Sequence, residues 1–208
     1  MIETLGLVPW ETAWPYIIAT FFLSYLLGSI PFGLIFARLA GAGDIRKIGS
    51  GNIGATNVLR SGKRWAAAAT LFCDAAKGYL AVSYAGEKFG IQFFPVLAGL
   101  SVFLGHLYPV WLGFKGGKGV AVFIGILFAL APPVGALVCV SWLGIAQAFR
   151  YSSLAALVSA GLTPLYFLFL GTTLFALLTF ILVLFIFISH RSNIARLIRG
   201  EEPRIGAA

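Results

Sequence analysis

Residues 16–39 read YIIATFFLSYLLGSIPFGLIFARL, and this stretch decides the class of fold. It carries no charge before Arg38, and it exceeds the roughly 20 apolar residues a helix needs to cross a bilayer. Further apolar runs of helical character follow at 65–84, 93–108, 120–130, 134–149, 154–170 and 174–190. They are continuous, unlike the alternating segments of about ten residues that a membrane barrel shows. The 120–130 run is short for a span unless it extends on either side. Composition agrees: 60% of the 208 residues are hydrophobic and 11% are charged, with a mean hydropathy of +0.95. A water-soluble domain carries roughly 25% charged residues. The expectation is an all-α polytopic integral membrane protein of about seven transmembrane helices, forming one domain over residues 1–208. Inside the first run, Gly28-Ser29-Ile30-Pro31-Phe32-Gly33 predicts a kink.

Charge predicts orientation. With this span order, Arg38, Arg46, Lys47, Arg60, Lys63, Arg64, Lys115, Lys118, Arg150, Arg191, Arg196, Arg199 and Arg204 fall on one side. Lys88 falls on the other, and Lys77 lies within the 65–84 run. The positive-inside rule makes the rich side cytoplasmic, which puts the N-terminus outside and the C-terminus in the cytoplasm. The first residues contain Glu3 and Glu11 but no Lys or Arg, so the cationic start of a cleavable signal is not expected. The formal net charge of +8 fits topology and anionic lipid headgroups, without a nucleic-acid partner. Cys73 and Cys139 sit in apolar runs and read as small core residues.

Chemistry is concentrated in a few polar stretches. The first is Gly49-Ser50-Gly51-Asn52-Ile53-Gly54-Ala55-Thr56-Asn57, closed by Arg60. Glycines let backbone N–H groups approach a ligand closely, and successive N–H groups form an anion-binding concavity. Ser50, Asn52, Thr56 and Asn57 add neutral donors, and nearby Arg and Lys residues add charge. A phosphate is the natural guest; a plain turn between helices is the alternative. The second stretch is Gly113-Phe114-Lys115-Gly116-Gly117-Lys118-Gly119. His106 and His190, the only histidines, fall near the same expected face, with Asn193 three residues beyond His190 and Ser152-Ser153 after the fifth run. Asp74 and Lys77, at i and i+3 within a span, are either a structural couple or a contribution to the polar pocket. The histidines lack carboxylate or thiol companions at ligand spacing, so neither a metal nor a cofactor is expected.

Taken in order, 28–33, the 49–57 loop, Asp74-Ala75-Ala76-Lys77-Gly78, Gly105-His106-Leu107-Tyr108-Pro109 and Lys115-Gly116-Gly117-Lys118-Gly119 resemble the bacterial acyl-phosphate:glycerol-3-phosphate acyltransferase family. The resemblance covers nearly the whole chain. It implies a multi-pass enzyme of the bacterial inner membrane, active at the cytoplasmic face, in phospholipid synthesis. The implied reaction transfers a fatty acyl group from acyl phosphate to the 1-hydroxyl of sn-glycerol 3-phosphate. Lysophosphatidic acid and phosphate result, with membrane lipid as the surroundings and no obligatory protein partner. It further implies phosphate binding by Ser50, Gly51, Asn52, Gly54, Thr56, Asn57, Lys115, Gly116, Gly117, Gly119 and Ser153. Catalytic roles fall to Lys118, Arg60, His190 and Asn193, with support from Ser29, Asp74, Lys77 and His106. Where some members have a serine shortly after the position of Ser153, this chain reads Leu154-Ala155-Ala156.

Acyl phosphate is a mixed anhydride whose phosphate already leaves well. Alignment and charge stabilisation therefore matter more than a strong nucleophile. The proton acceptor is either His190 or a phosphate oxygen of the substrate itself, and the substrate-assisted route is the expectation. The rival classes are a small transporter for an organic phosphate, which the Asp74/Lys77 pair and the broken first span would suit, and a lipid-binding scaffold.

Overall fold

The computed structural model describes residues 10–206, except the side chain of Trp10. The acidic first residues, where a cationic start is missing, lie outside the described residues but for Glu11 and its neighbours. The helices are α1 (Trp10–Gly28), α2 (Phe32–Leu39), α3 (Ala55–Arg60), α4 (Arg64–Phe89), α5 (Phe93–Leu107), α6 (Val120–Leu130), α7 (Pro132–Phe149), α8 (Ser152–Gly161), α9 (Thr163–Phe169), α10 (Thr173–Ser189) and α11 (Arg191–Ile198). Short 3-10 turns sit at Ile45–Lys47 and Val110–Leu112. Each apolar run in the sequence corresponds to a helix, or to two helices broken once. The chain forms two compact units, Met1–Leu130 and Ala131–Ala208.

In the first unit, α4 packs against α2, α3, α5 and α6, and α1 lies along α5. Lipid tails are as apolar as leucine, so helices in a membrane associate through close fit, which small residues permit. The α1–α5 seam shows this. A methyl group on Gly28 would strike the main chain of Val102, and one on Gly105 would strike the carbonyl of Tyr25. The α4–α6 seam repeats it: Gly78 meets the Val122 carbonyl and Gly125 the Ala75 carbonyl. Outward from these seams, Phe22, Leu23, Leu71, Phe72, Leu80 and Tyr84 are exposed, a surface suited to lipid.

The first apolar run breaks where Pro31 removes an N–H and restrains Ile30 before it. Carbonyls released inside a membrane must find donors. Here Trp111 Nε1 donates to the Ser29 carbonyl at 2.7 Å, and Lys77 Nζ donates to the Ile30 carbonyl at 3.0 Å. The break is thus tied to α4 and to the turn that leads into the second glycine stretch.

In the second unit, α7 packs on α8, α10 on α8 and α9, and α11 on α8. Buried Ser159, Thr163 and Thr179 donate to carbonyls of the preceding turn at 2.7, 3.3 and 2.9 Å, which satisfies their hydroxyls without a partner helix. The chain bends by 63° between α10 and α11, at His190.

Among the described residues, four stretches are by themselves long and apolar enough to cross a bilayer: Glu11–Leu39, Phe93–Leu112, Pro132–Phe149 and Ser152–Phe169. The bent pair of α10 and α11 makes a fifth, and α6 is a shorter apolar helix. The 26-residue α4 is long enough but carries Asp74 and Lys77 at its middle.

Candidate active site

The 40–64 loop is built around one side chain. Asn57 is buried, and its Nδ2 donates to the carbonyls of Ile45 and Ile48 at 2.7 and 3.2 Å. Its Oδ1 accepts from the Ser50 N–H at 3.1 Å. The Asn57 amide, read from sequence as a phosphate donor, is turned inward and shapes the loop. Gly49 completes the fit. Its φ of +53° is costly for other residues, and a Cβ there would run into Asn57 Oδ1 and Arg60 Cδ. Arg60 therefore lies along the glycine turn. Ser50, Gly51, Thr56 and Arg60 are exposed, while Asn52 and Gly54 are half-buried. Below them Ile45, Ile53 and Val58 join Ala37, Ala66 and Ala67 in a core cluster.

One end of this loop carries an exposed ion pair. Asp44 caps the Ile45–Lys47 turn by accepting from the Arg46 N–H at 3.1 Å, and it takes two further bonds from the Arg46 guanidinium at 2.9 Å. Those hydrogen bonds hold its carboxyl down at about 2 and push the Arg46 guanidinium up.

The second glycine stretch leaves α5 through Pro109 and the Val110–Leu112 turn. Leu112 packs against the core cluster of the first loop, so both polar stretches rest on one apolar base. The Gly116 and Gly117 N–H groups donate to the carbonyls of Leu107 and His106, at 2.9 and 3.0 Å. These two N–H groups cap α5, which removes them from the set of anion donors that the sequence suggests. Gly119 has a φ of +85° and lies against the Phe103 ring, where a side chain has no room. Lys115 is exposed and Lys118 half-buried.

Under this stretch lies a charged node. Lys77 Nζ is 2.8 Å from Asp74 Oδ1 and 3.0 Å from His106 Nδ1, and all three residues are buried. Asp74 and Lys77 thus form the structural couple that their spacing allows, with His106 as a third member. Ser29, at the break, donates to the Tyr25 carbonyl at 2.8 Å.

In the second unit, Ser153 and Asn193 come together on one oxygen. Ser153 Oγ donates to Glu202 Oε1 at 2.7 Å, and Asn193 Nδ2 donates to the same atom at 2.6 Å. Arg196 Nε meets Glu202 Oε2 at 2.7 Å. Burial raises the Glu202 pKa, but the bonds from Ser153, Asn193 and Arg196 outweigh it and hold the carboxyl below its ordinary range. The tail reaches this place because Ile205 and Arg150 exchange bonds: the Ile205 N–H donates to the Arg150 carbonyl at 2.6 Å, and Arg150 Nη2 returns to the Ile205 carbonyl at 2.9 Å. His190 is buried beside the bend, with Nδ1 at 2.8 Å from the Ile186 carbonyl. A carbonyl only accepts, so Nδ1 carries the proton and Nε2 presents a lone pair when the ring is neutral.

Sequence reasoning missed Glu202 and Arg196. The one available signal was that a chain with seven acidic residues places two of them, Glu201 and Glu202, beside a basic helix.

Comparison with known proteins follows the same lines. A family model described as glycerol-3-phosphate acyltransferase matches residues 18–200. A glycerol-3-phosphate acyltransferase of Mesorhizobium japonicum is 56% identical over 186 residues, covering 88% of this chain and 93% of its own. One of Sinorhizobium medicae is 50% identical over 202 residues, covering 97% and 98%. Among solved structures, PlsY, an integral membrane glycerol 3-phosphate acyltransferase crystallised in its glycerol 3-phosphate form, superposes with a TM-score of 0.88 at 39% identity, covering 92% of this chain and 96% of the other. Its lysophosphatidic acid form gives 0.84 at 37% identity. With a match that runs from the first apolar helix to the end of α11, this all-helical, multi-pass membrane protein belongs to the glycerol-3-phosphate acyltransferase family.

Proposed function

We propose that the chain is a single-domain enzyme that transfers a fatty acyl group from acyl phosphate to the 1-hydroxyl of sn-glycerol 3-phosphate. The acyl carbon–oxygen bond to phosphate breaks and an ester bond to the glycerol oxygen forms. The hydroxyl proton passes to a phosphate oxygen, and lysophosphatidic acid and inorganic phosphate leave. The observation that carries this reading is the shared base of the two polar stretches: Leu112, one residue before the second stretch, seats on the core of the first. Two cationic, glycine-bearing turns at one place suit substrates that each present a phosphate.

Lys118 and Arg60 neutralise the phosphates and the oxyanion that develops at the acyl carbon. Ser50, Thr56 and the exposed glycine backbone of the first loop hold phosphate oxygens, and Asn57 acts through the loop it shapes. His190 and Asn193 orient glycerol 3-phosphate. With seven spans, these residues face the cytoplasm of a bacterial inner membrane, where the positive-inside rule places their lysines and arginines. Of the two features that would suit the rival transporter reading, one counts for less here, since Asp74 and Lys77 lie against each other, His106 and the Ile30 carbonyl.

The test is an assay of detergent-solubilised protein with acyl phosphate and labelled glycerol 3-phosphate, without partner or gradient. Labelled lysophosphatidic acid and stoichiometric phosphate are expected, with no turnover from an acyl thioester. Lys118→Ala and Arg60→Ala should each nearly abolish it. Turnover from the thioester alone would sink the donor assignment, and substantial turnover by His190→Gln would exclude His190 as an obligatory base.

A further inference from the structure

We propose that His106 is a phosphate-binding residue of the 115–119 loop, presented as a neutral N–H donor whose tautomer is set by Lys77. The proposal rests on the reading that this loop holds a substrate phosphate, and it assigns that site a ligand that charge alone does not supply.

Lys77 lies in the middle of α4 and is 1% exposed. Its ammonium has three protons to give and no lone pair to receive with. Its neighbours are one ion-pair partner, Asp74 Oδ1 at 2.8 Å, and two hydrogen-bond partners, the Ile30 carbonyl at 3.0 Å and His106 Nδ1 at 3.0 Å. Facing a donor, Nδ1 must accept, so the ring proton is on Nε2. Asp74 Oδ1, 3.6 Å from Nδ1, also faces the ring and keeps the ammonium between the two acceptors. The node is therefore a carboxylate, an ammonium and a neutral imidazole in series.

The other edge of the ring points away from the node. A Cβ on Gly117 would run into His106 Nε2, so this edge lies against the middle of Lys115-Gly116-Gly117-Lys118-Gly119. The His106 ring is 5% exposed, and Nε2 makes no hydrogen bond among the described residues. The main chain holds the ring and the loop in register, since the Gly117 N–H donates to the His106 carbonyl at 3.0 Å. With the N–H groups of Gly116 and Gly117 already spent on α5, the loop needs a neutral donor from elsewhere, and the His106 Nε2–H is placed to be one. A donor of this kind adds direction to the charge of Lys115 and Lys118 without adding a proton that the substrate could take up.

The experiment separates the two ends of the ring. In His106→Asn the amide sits where Nδ1 was, and the bond to Lys77 is kept; in His106→Gln it reaches the place of Nε2. His106→Asn should raise KM about 10- to 100-fold with kcat little changed, the loss expected for a hydrogen bond to a charged group. His106→Gln should stay within about fivefold of the native value. Measuring KM separately for glycerol 3-phosphate and for acyl phosphate identifies which phosphate is bound. Equal losses in both variants would overturn the assignment. Nitrogen NMR of the native chain in nanodiscs, labelled in histidine and glycine, supplies a second readout that needs no folded His106 variant. The two histidine signals are told apart by His190→Gln. His106 should show the Nε2–H tautomer, and its Nε2 signal should move when inorganic phosphate or glycerol 3-phosphate is added. An Nδ1–H tautomer refutes the proposal. So does an unmoved His106 while glycine signals of the 115–119 loop shift, an outcome that leaves the loop reading standing. If neither set moves at concentrations that saturate turnover, the loop reading itself fails.

Discussion

Two buried polar nodes, one in each unit, are mirror images in charge. In the first, a cation is the hub: Lys77 is ringed by Asp74, His106 and the Ile30 carbonyl. In the second, an anion is the hub: Glu202 is ringed by Ser153, Asn193 and Arg196. Both sit beside residues that the proposed reaction needs, and both join segments far apart in the chain. They differ in surroundings. Lys77 and Asp74 are both closed off within helices, whereas Glu202 keeps a partner, Arg196, that is partly open to solvent. The first node should behave as a fixed part of the scaffold, and the second as a fastening that pH and ionic strength reach.

The largest effect is expected from breaking the cationic hub. Lys77→Met leaves Asp74 buried without its counter-ion, a change that costs about 3–5 kcal/mol. Thermal unfolding in detergent should show a loss of folded protein. The double variant Asp74→Asn/Lys77→Met, which removes both charges, should recover more than half of that loss. Failure to recover would mean that the Ile30 and His106 contacts, and not the ion pair, carry the node.

Next comes the anionic hub. Glu202→Gln keeps the shape but turns a charged acceptor into a neutral amide facing Asn193 and Arg196, at a cost of about 1.5–3 kcal/mol. Because the folded carboxyl titrates below its ordinary value of 4.5, its contribution is fully present above that value. It is lost as the pH falls through the lower, folded-state pKa. Unfolding temperature plotted against pH should therefore drop in acid for the native chain and flatten in that window for Glu202→Gln.

Asn57→Asp, which converts a donor to two carbonyls into an acceptor, should cost about 1–3 kcal/mol and raise KM for glycerol 3-phosphate, with α1 and α5 unaffected. The smallest effect belongs to the exposed pair at the other end of that loop. Asp44→Asn should leave the unfolding temperature within measurement error, since exposed ion pairs contribute little.

The comparison also shows what could be read from the chain. Uninterrupted apolar runs predict helices because the bilayer leaves the backbone few choices, and each expected run is helical. The break at 29–31 follows from Pro31. The Asp74–Lys77 pairing is visible because both residues occupy one helix, three positions apart. Its third member is not: His106 arrives from α5, and no local pattern reports which helix will lie opposite. Glu202 was harder still. It reads as part of a solvated tail, and its burial depends on Arg150 and Ile205 pairing across a separation of 55 residues. The same limit applies to Asn57 and to Gly116 and Gly117, whose residue types suit anion binding but whose amides the fold spends on itself.

The glycine seams carry a consequence for how this enzyme can change. Gly28 and Gly105 on one side, and Gly78 and Gly125 on the other, bring main chain against main chain with no side chain between them. No rotamer can swing aside there to accept a methyl group. In a saturation screen these positions should be as intolerant of alanine as the reacting centre is, although they touch no substrate. Neighbouring lipid-facing positions such as Phe72 should drift freely. Resistance to an inhibitor of this enzyme would then have to arise outside the seams, in the loops and on the lipid-facing surface.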